Sequence, residues 1–369
     1  MLQFIRRCAA MKTSAISSAS RSIPQRASGQ CLLSHVWLAA LLALGMNSSR
    51  AVAQNTVVLV GSGSSVPAPL YARWTQEYSK HNAHVQMRYL PVGTSEGIRQ
   101  ISRGVGDFGA GEAQLTDKER KEDGLTELPV VLIGIVPIYN LPDVRGELRL
   151  SGEVLAEIFL GDIKNWNAGQ LAKLNPDLTL PNLPIEVVNR PAGKGSNFVF
   201  TDFLSKVSSK FRAEVGTSAS PKWPVGVPAE RSSDMADKVK ASPGSIGYVE
   251  YQYAVKGNLS QAAVLNPAGK FVRASLESIA ASCTAVEEPR WNGFSASLTN
   301  AGGADSFPIA SFTWIYLRTK STDSARAAAL SDLLNWIYSD GQQFAGQEGY
   351  SELPPQLLSA VRKKVKELQ

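Results

Sequence analysis

The sequence predicts an α/β protein, and three observations carry that reading. Beyond residue 55, short β-branched runs alternate with longer helical patterns. Strand-like runs lead into small hydroxyl or glycine residues placed to open a helix. The chain has 369 residues, enough for two ordinary domains once a leader is set aside.

The first 53 residues stand apart. Their only charges are Arg6, Arg7, Lys12, Arg21, Arg26 and Arg50, and an apolar core runs from Val36 to Met46. Ala51-Val52-Ala53 then matches the small-x-small pattern of a signal-peptidase site. A signal peptide over residues 1–53, cleaved after Ala53, is therefore expected, and with it export. The apolar core is too short for a stable membrane anchor. The long polar stretch before it suits a start at Met11 as well as at Met1. A basic transit peptide fits the compact apolar core less well.

Setting the leader aside changes what the charge means. The formal net charge is +6, and all six surplus basic residues lie in the leader, leaving 32 of each sign. The basic pI therefore says nothing about nucleic acid, since a nucleic-acid binder would keep a basic excess. Cys8 and Cys31 also lie in the leader, so Cys283 is left alone and no intrachain disulfide is expected. Stability must come from core size.

Along the chain, Thr56–Val60 reads as a buried strand that runs into Gly61–Ser65. Leu70, Trp74 and Tyr78 form one helix face, with Pro67 and Pro69 suited to its first turn. His84–Leu90 reads as a strand, followed by Gly93–Gly97 and a helix carrying Ile98 and Ile101. Phe108–Glu112 is a short strand breaking into a loop, and Val130–Tyr139 is a continuous apolar strand suited to crossing between domains. Ser151–Leu160 is helical, Leu180–Pro184 a loop, and Ile185–Val188 a strand leading to Arg190. Asn197–Val207 is a helix with Val199, Phe203 and Val207 on one face. Ser245–Tyr253 reads as an aromatic-rich strand and Ser282–Asp305 as irregular. Ile309–Leu317 is a strand, and two helices follow on the stripes Leu330, Leu333, Leu334, Ile337 and Leu357, Leu358, Val361, Val365.

Catalytic signatures are scarce. Beyond the leader the only histidines are His81 and His84, in a polar loop with no Cys, Asp or Glu between them, so neither a metal site nor a Ser-His-Asp triad is expected. Gly-x-Ser-x-Gly is absent. Gly193-Lys194-Gly195-Ser196 lacks the Lys-Ser/Thr adjacency and the earlier glycine of a P-loop. No enzyme, no metal and no cofactor is the expectation.

Three segments point instead to binding of a small anion: Ser64-Ser65-Val66-Pro67, Gly93-Thr94-Ser95-Glu96-Gly97 and Gly193-Lys194-Gly195-Ser196-Asn197. Each opens a helical pattern, where unpaired N–H groups and the helix dipole favour negative charge. Alone, each is ordinary turn chemistry and Arg190 an ordinary surface cation. Together, at the carboxyl ends of strands in an α/β chain, they form a cage for an oxyanion.

The motifs also carry a resemblance. Gly61–Tyr71, Gly93–Ile101 with Asp107–Ala110, Phe159–Trp166, Phe198–Phe200, Trp223–Gly226 and Ile246–Tyr251 resemble, in order, those of the periplasmic phosphate-binding proteins that feed the high-affinity phosphate ABC transporter. The likeness runs from about residue 55 to the C-terminus. It implies a type II periplasmic binding protein fold, two α/β lobes joined by two crossover strands. Lobe one would take residues 55–133 plus 306–369, and lobe two residues 134–305. Capture of inorganic phosphate or a related oxyanion, periplasmic localisation, hand-over to ABC permease subunits with their ATPase and a monomeric state are implied too. The alternatives are a binder of phosphonate, sulfate or a small organic acid, and a sensor or structural protein that keeps the fold without transport.

Carried over by position, the ligand-binding residues are Ser65, Val66, Thr94, Ser95, Glu112, Arg190, Lys194, Gly195 and Ser196. Three positions depart from the family pattern. Glu112 stands where an Asp is usual, Ala192 replaces the second Asp that orients the arginine, and Lys194 replaces a serine. The family's ionised groups sum to −1, whereas Arg190, Lys194 and Glu112 sum to +1. A buried, uncompensated lysine is costly, so Lys194 is expected to pair with Glu112 or the ligand, or to reach solvent. The chain reads as a divergent paralogue whose ligand is still a tetrahedral phosphorus oxyanion.

Overall fold

In the computed structural model the described residues are 56–286, 294, 296–320 and 323–367. The expected leader and cleavage site lie outside them.

The chain opens with strand β1 (Val57–Gly63), helix α1 (Ala68–His81), strand β2 (Val85–Leu90), helix α2 (Thr94–Ser102), strand β3 (Phe108–Gly111) and the short helix α3 (Asp117–Lys121). β1 pairs in parallel with β2 on one side and β3 on the other, as strands joined by helical crossovers do. α1 buries Leu70, Tyr71, Trp74 and Tyr78, the face its sequence period predicts.

Strand β4 (Leu125–Tyr139) has 15 residues, almost all buried. It organises the molecule by changing partner along its length. Its residues up to Gly134 pair antiparallel with strand β12 (Ala310–Arg318), which in turn pairs antiparallel with β3. From Ile135 onward it pairs antiparallel with strand β8 (Ser245–Glu250). The register slips beside Pro129, which cannot donate to a ladder and so sits at the irregularity.

Between β4 and β8 come β5 (Arg149–Leu150), α4 (Gly152–Leu160), α5 (Gly169–Leu174), β6 (Glu186–Asn189), α6 (Gly195–Val207), α7 (Ser209–Glu214), β7 (Val227–Pro228) and α8 (Ser232–Ala241). β6 lies parallel between β7 and β8, which completes a second parallel region on the far half of β4. After β8 follow α9 (Tyr251–Lys256), β9 (Ser260–Gln261), β10 (Ala263–Leu265), β11 (Phe271–Val272) and α10 (Leu276–Thr284). Beyond β12 come α11 (Ser324–Ile337), a 3-10 turn over Asp340–Phe344, α12 (Ala345–Glu348) and α13 (Pro355–Glu367). The large sheet runs β2-β1-β3-β12-β4-β8-β6-β7, with β9 also on β4, and a small sheet holds β11-β10-β5. Among the described residues no helix is long and apolar enough to cross a membrane.

Two expectations need correction. The strand expected over Ser245–Tyr253 ends at Glu250, and Tyr251–Lys256 is helical. The chain leaves the sheet where β4 changes partner, and Gln252 turns back to hydrogen bond the hydroxyl of Tyr350 at 2.9 Å. The segment read as irregular from Ser282 starts inside α10. There the hydroxyl of Ser282 donates to the carbonyl of Phe307 at 2.8 Å, and Ser275 and Ser278 close a capping box. Cys283, on the same helix, is buried, and burial pushes its thiol up to about 12.

Candidate functional site

The first loop is set by the end of β1. The backbone N–H of Ser64 donates to Ala110 O at 2.9 Å, and the Tyr89 hydroxyl donates to Ser64 O at 2.6 Å. Ser64 is buried and its hydroxyl accepts the N–H of Val66 at 3.0 Å, while Ser65 is only half-buried. The carbonyl of Val66 accepts the Tyr350 hydroxyl at 2.7 Å. A second loop is tied in by Gly93 N–H, which donates to Gly63 O at 2.7 Å. α2 can sit on the end of β1 because both contact residues lack side chains: a Cβ on Gly97 would lie 2.5 Å from the Cα of Gly63. This brings Thr94, fully buried in the first turn of α2, to Glu112, whose Oε2 accepts the Thr94 hydroxyl at 2.9 Å. Ser95 faces outward and is exposed.

The opposing wall is built around Arg190, which follows β6 and is 1 % exposed. Its Nη1 donates to Ser232 Oγ at 2.6 Å and its Nη2 to the carbonyl of Glu230 at 3.1 Å. Its backbone N–H donates to the Tyr248 hydroxyl at 3.2 Å, and its carbonyl accepts from the Trp223 indole at 3.2 Å. Tyr248 stacks on Phe200 with centroids 4.2 Å apart, so β8 and α6 together hold the platform beneath the arginine. Asn197, in the first turn of α6, accepts the Tyr248 hydroxyl and donates to the carbonyl of Pro191 at 2.8 Å. That bond pins the loop carrying Arg190 to the helix that follows it. Ala192, where the family's second acid is expected, is exposed. Ser232 and the Glu230 carbonyl hold the guanidinium instead.

The two walls meet. A Cβ on Gly195, the first residue of α6, would lie 1.4 Å from Glu112 Oε2 and 2.6 Å from Thr94 Oγ1. One on Gly93 would lie 2.9 Å from the carbonyl oxygen of Gly193. The N-termini of α2 and α6 therefore converge, and their first N–H groups have no intrahelical acceptor. Around them several buried polar atoms have no hydrogen-bond partner among the described residues: Glu112 Oε1, Arg190 Nε and Ser196 Oγ. Leaving such an atom unpaired costs about 1–3 kcal/mol, more for a charged group. An oxyanion offers acceptors to the guanidinium, the hydroxyl and the helix termini at once.

Electrostatics adds a condition. Glu112 is pushed up to about 8, first by burial and further by the negative charge of Glu250, while the hydroxyls of Ser64 and Thr94 pull the other way. Lys194 does not meet Glu112 but lies at the solvent-facing rim. Its ammonium donates to the carboxylate of Glu230 at the rim, a pairing sequence spacing could not show because 36 residues separate the two. Sequence reasoning also missed Ser64, Asn197, Glu230, Ser232 and Tyr248. Ser64 and Asn197 stand inside the anion segments and Tyr248 inside one of the family-like motifs, whereas Glu230 and Ser232 carry no local signal. His81 and His84 are both exposed, and among the described residues no group of three or more His, Cys, Asp or Glu could hold a metal ion.

Comparison with known proteins agrees with this architecture. A family model described as a PBP superfamily domain matches residues 50–341. The chain is 36% identical over 307 residues to the phosphate-binding protein PstS of Xylella fastidiosa (strain 9a5c), covering 83% of this chain and 84% of that protein. It is 36% identical over 305 residues to the phosphate-binding protein PstS of Haemophilus influenzae, covering 82% and 91%. Among solved structures, a high-affinity periplasmic phosphate-binding protein (PfluDING) bound with phosphate aligns with TM-score 0.65 at 17% identity, covering 83% of this chain and 93% of that one. A phosphate-binding protein from Stenotrophomonas maltophilia aligns with TM-score 0.61 at 18% identity, covering 83% and 93%. These structures share the two-lobe fold. By matched length and by identity to its relatives, the chain belongs to the PBP superfamily and, within it, to the family of the phosphate-binding protein PstS.

Proposed function

We propose that this chain is an extracytoplasmic solute-binding protein that captures phosphate, or a closely related tetrahedral oxyanion, between its two lobes and delivers it to an ABC permease driven by an ATPase. One observation supports this most: Arg190 Nε, Ser196 Oγ and Glu112 Oε1 are buried and unpartnered where the N-termini of α2 and α6 converge. The ligand set we assign is Ser64 or Ser65 with Val66, then Thr94, Glu112, Arg190, Gly195 and Ser196. Ser95 contributes its backbone, and Lys194 acts from the rim. In this reading the binding is non-covalent, with the Thr94 hydroxyl on Glu112 helping to orient the ligand, and the protein is a periplasmic monomer. The lobe limits we propose, 55–133 with 306–369 and 134–305, are supported by the exchange of partners on β4 between Gly134 and Ile135.

Calorimetry on the protein beginning at Gln54 tests the reading. Phosphate should bind at one site and tighter than sulfate, and native mass spectrometry of protein prepared without added phosphate should show a phosphate-sized adduct. Tight sulfate binding with no phosphate binding would overturn it.

A further inference from the structure

Glu250 is the last residue of β8, paired with Ile135 where β4 changes partner, and it is fully buried. Neither of its carboxylate oxygens has a hydrogen-bond partner among the described residues. It occupies the N-cap position of α9, yet its side chain does not cap that helix, although Asp, Asn and Ser at this place usually do. The carboxylate is turned elsewhere. Side chains two apart on a strand share a face, so Glu250 lies on the face of Tyr248, whose hydroxyl meets the backbone N–H of Arg190 and the side chain of Asn197. Its charge reaches Glu112 from one side, and Tyr350 and Tyr253 from others. Arg190 opposes it at Tyr253.

We propose that Glu250 is a specificity-determining residue of the anion site, a second carboxylate that favours guests able to bring a hydrogen to it over those that cannot. The inference rests on the phosphate reading above and deepens it. A carboxylate accepts hydrogen bonds and offers none when ionised. With Lys194 held at the rim by Glu230, the buried acidic and basic side chains that this proposal puts around the ligand are Arg190, Glu112 and Glu250. One cation with two acids disfavours a fully ionised tetrahedral anion. It favours one whose P–OH groups donate to the acids while its bare oxygens take the guanidinium and the helix N–H groups.

The test is Glu250→Gln, which keeps the shape and supplies an amide donor, measured by calorimetry with inorganic phosphate and with sulfate at one fixed pH. The ratio of phosphate to sulfate affinity should fall at least tenfold, mainly because sulfate binds more tightly. A ratio within twofold of the parent protein, in a variant that melts at the parent temperature, would overturn the proposal. Should Glu250→Gln fail to fold, Glu250→Asp retains the acid but withdraws it by one methylene. Phosphate affinity should then drop severalfold with sulfate still the weaker ligand, and an unchanged phosphate affinity would count against the proposal. If the parent protein binds neither anion, the phosphate reading is what fails. The placement of Glu250 is then judged by carbon-13 NMR of the Glu112 carboxyl without ligand. Its ionisation midpoint should move to lower pH in Glu250→Gln, and an unmoved midpoint removes Glu250 from the site.

Discussion

Glu112 and Gly195 are packed so closely that a single added carbon at Gly195 would stand 1.4 Å from the Glu112 carboxylate. One residue ends the β3 region and the other begins α6, so their contact reports how the two sides of the site approach each other. Gly195→Ala should therefore separate folding from binding. Alanine favours a helix over glycine by up to about 1 kcal/mol, which offsets part of the clash, so the melting temperature should change less than the affinity. Forcing a methyl group into the closed contact costs about 1–3 kcal/mol, so phosphate affinity should fall roughly tenfold or more. Calorimetry and a thermal melt on the same sample decide it. A fall in stability with unchanged affinity would show that the contact serves the fold and not the site.

Arg190 should be indispensable, and Ser232 should matter through it. Removing one partner of a buried, charge-assisted interaction costs about 2–5 kcal/mol, so Arg190→Ala should lose measurable phosphate binding. Ser232→Ala leaves Nη1 of a buried guanidinium without its 2.6 Å acceptor. That costs about 1–3 kcal/mol, which should appear as a roughly tenfold weaker affinity. Arg190→Lys should behave more like alanine than like the parent, since an ammonium cannot reach Ser232, the Glu230 carbonyl and an anion together. Parent-like affinity in Arg190→Ala would take the arginine out of the site.

The elements that carry the fold were legible because each has a local period. Leu70, Trp74 and Tyr78 on α1, and the apolar run of β4, state their burial within a few residues. The helix N-termini of the candidate site were legible for the same reason, since Thr94 and Gly195 open helices that follow short glycine-containing runs. What stayed hidden depends on distant partners. Ser232 lies 42 residues from the guanidinium it holds, and Glu230 lies 36 from Lys194. The end of β8 was misread because aromatic residues continue through Tyr253, while the strand stops where its neighbour β4 exchanges partners. Propensity cannot see that exchange.

Lys194 then changes character. From sequence it is a candidate selectivity residue, but it is paired with Glu230, a side chain 69% exposed. Such a pair is worth about 0–1 kcal/mol. Lys194→Ser should shift phosphate affinity by less than about fivefold and sulfate affinity by a similar factor, with the shift shrinking at high salt. A tenfold change in the ratio of the two affinities would return Lys194 to the interior of the site.

The last expectation concerns pH. In the folded protein Glu112 gives up its proton at about 8, against 4.5 for an ordinary glutamate. Between those values the folded state holds a proton that the unfolded chain has released. Stability without ligand should therefore fall as pH rises from about 4.5 to 8, with a slope of up to about 1.4 kcal/mol per pH unit. Below and above that window this group contributes no slope, and Glu112→Gln should flatten the profile within it. Binding follows the same proton. Sulfate brings no hydrogen, so it needs Glu112 neutral and should be lost as pH passes about 8. Phosphate still carries a hydrogen there and can donate it to the ionised carboxylate. The ratio of phosphate to sulfate affinity should thus climb between pH 6 and 9 in the parent, and sulfate binding to Glu112→Gln should not vary with pH. A ratio that stays level across that range would mean that Glu112 does not face the ligand.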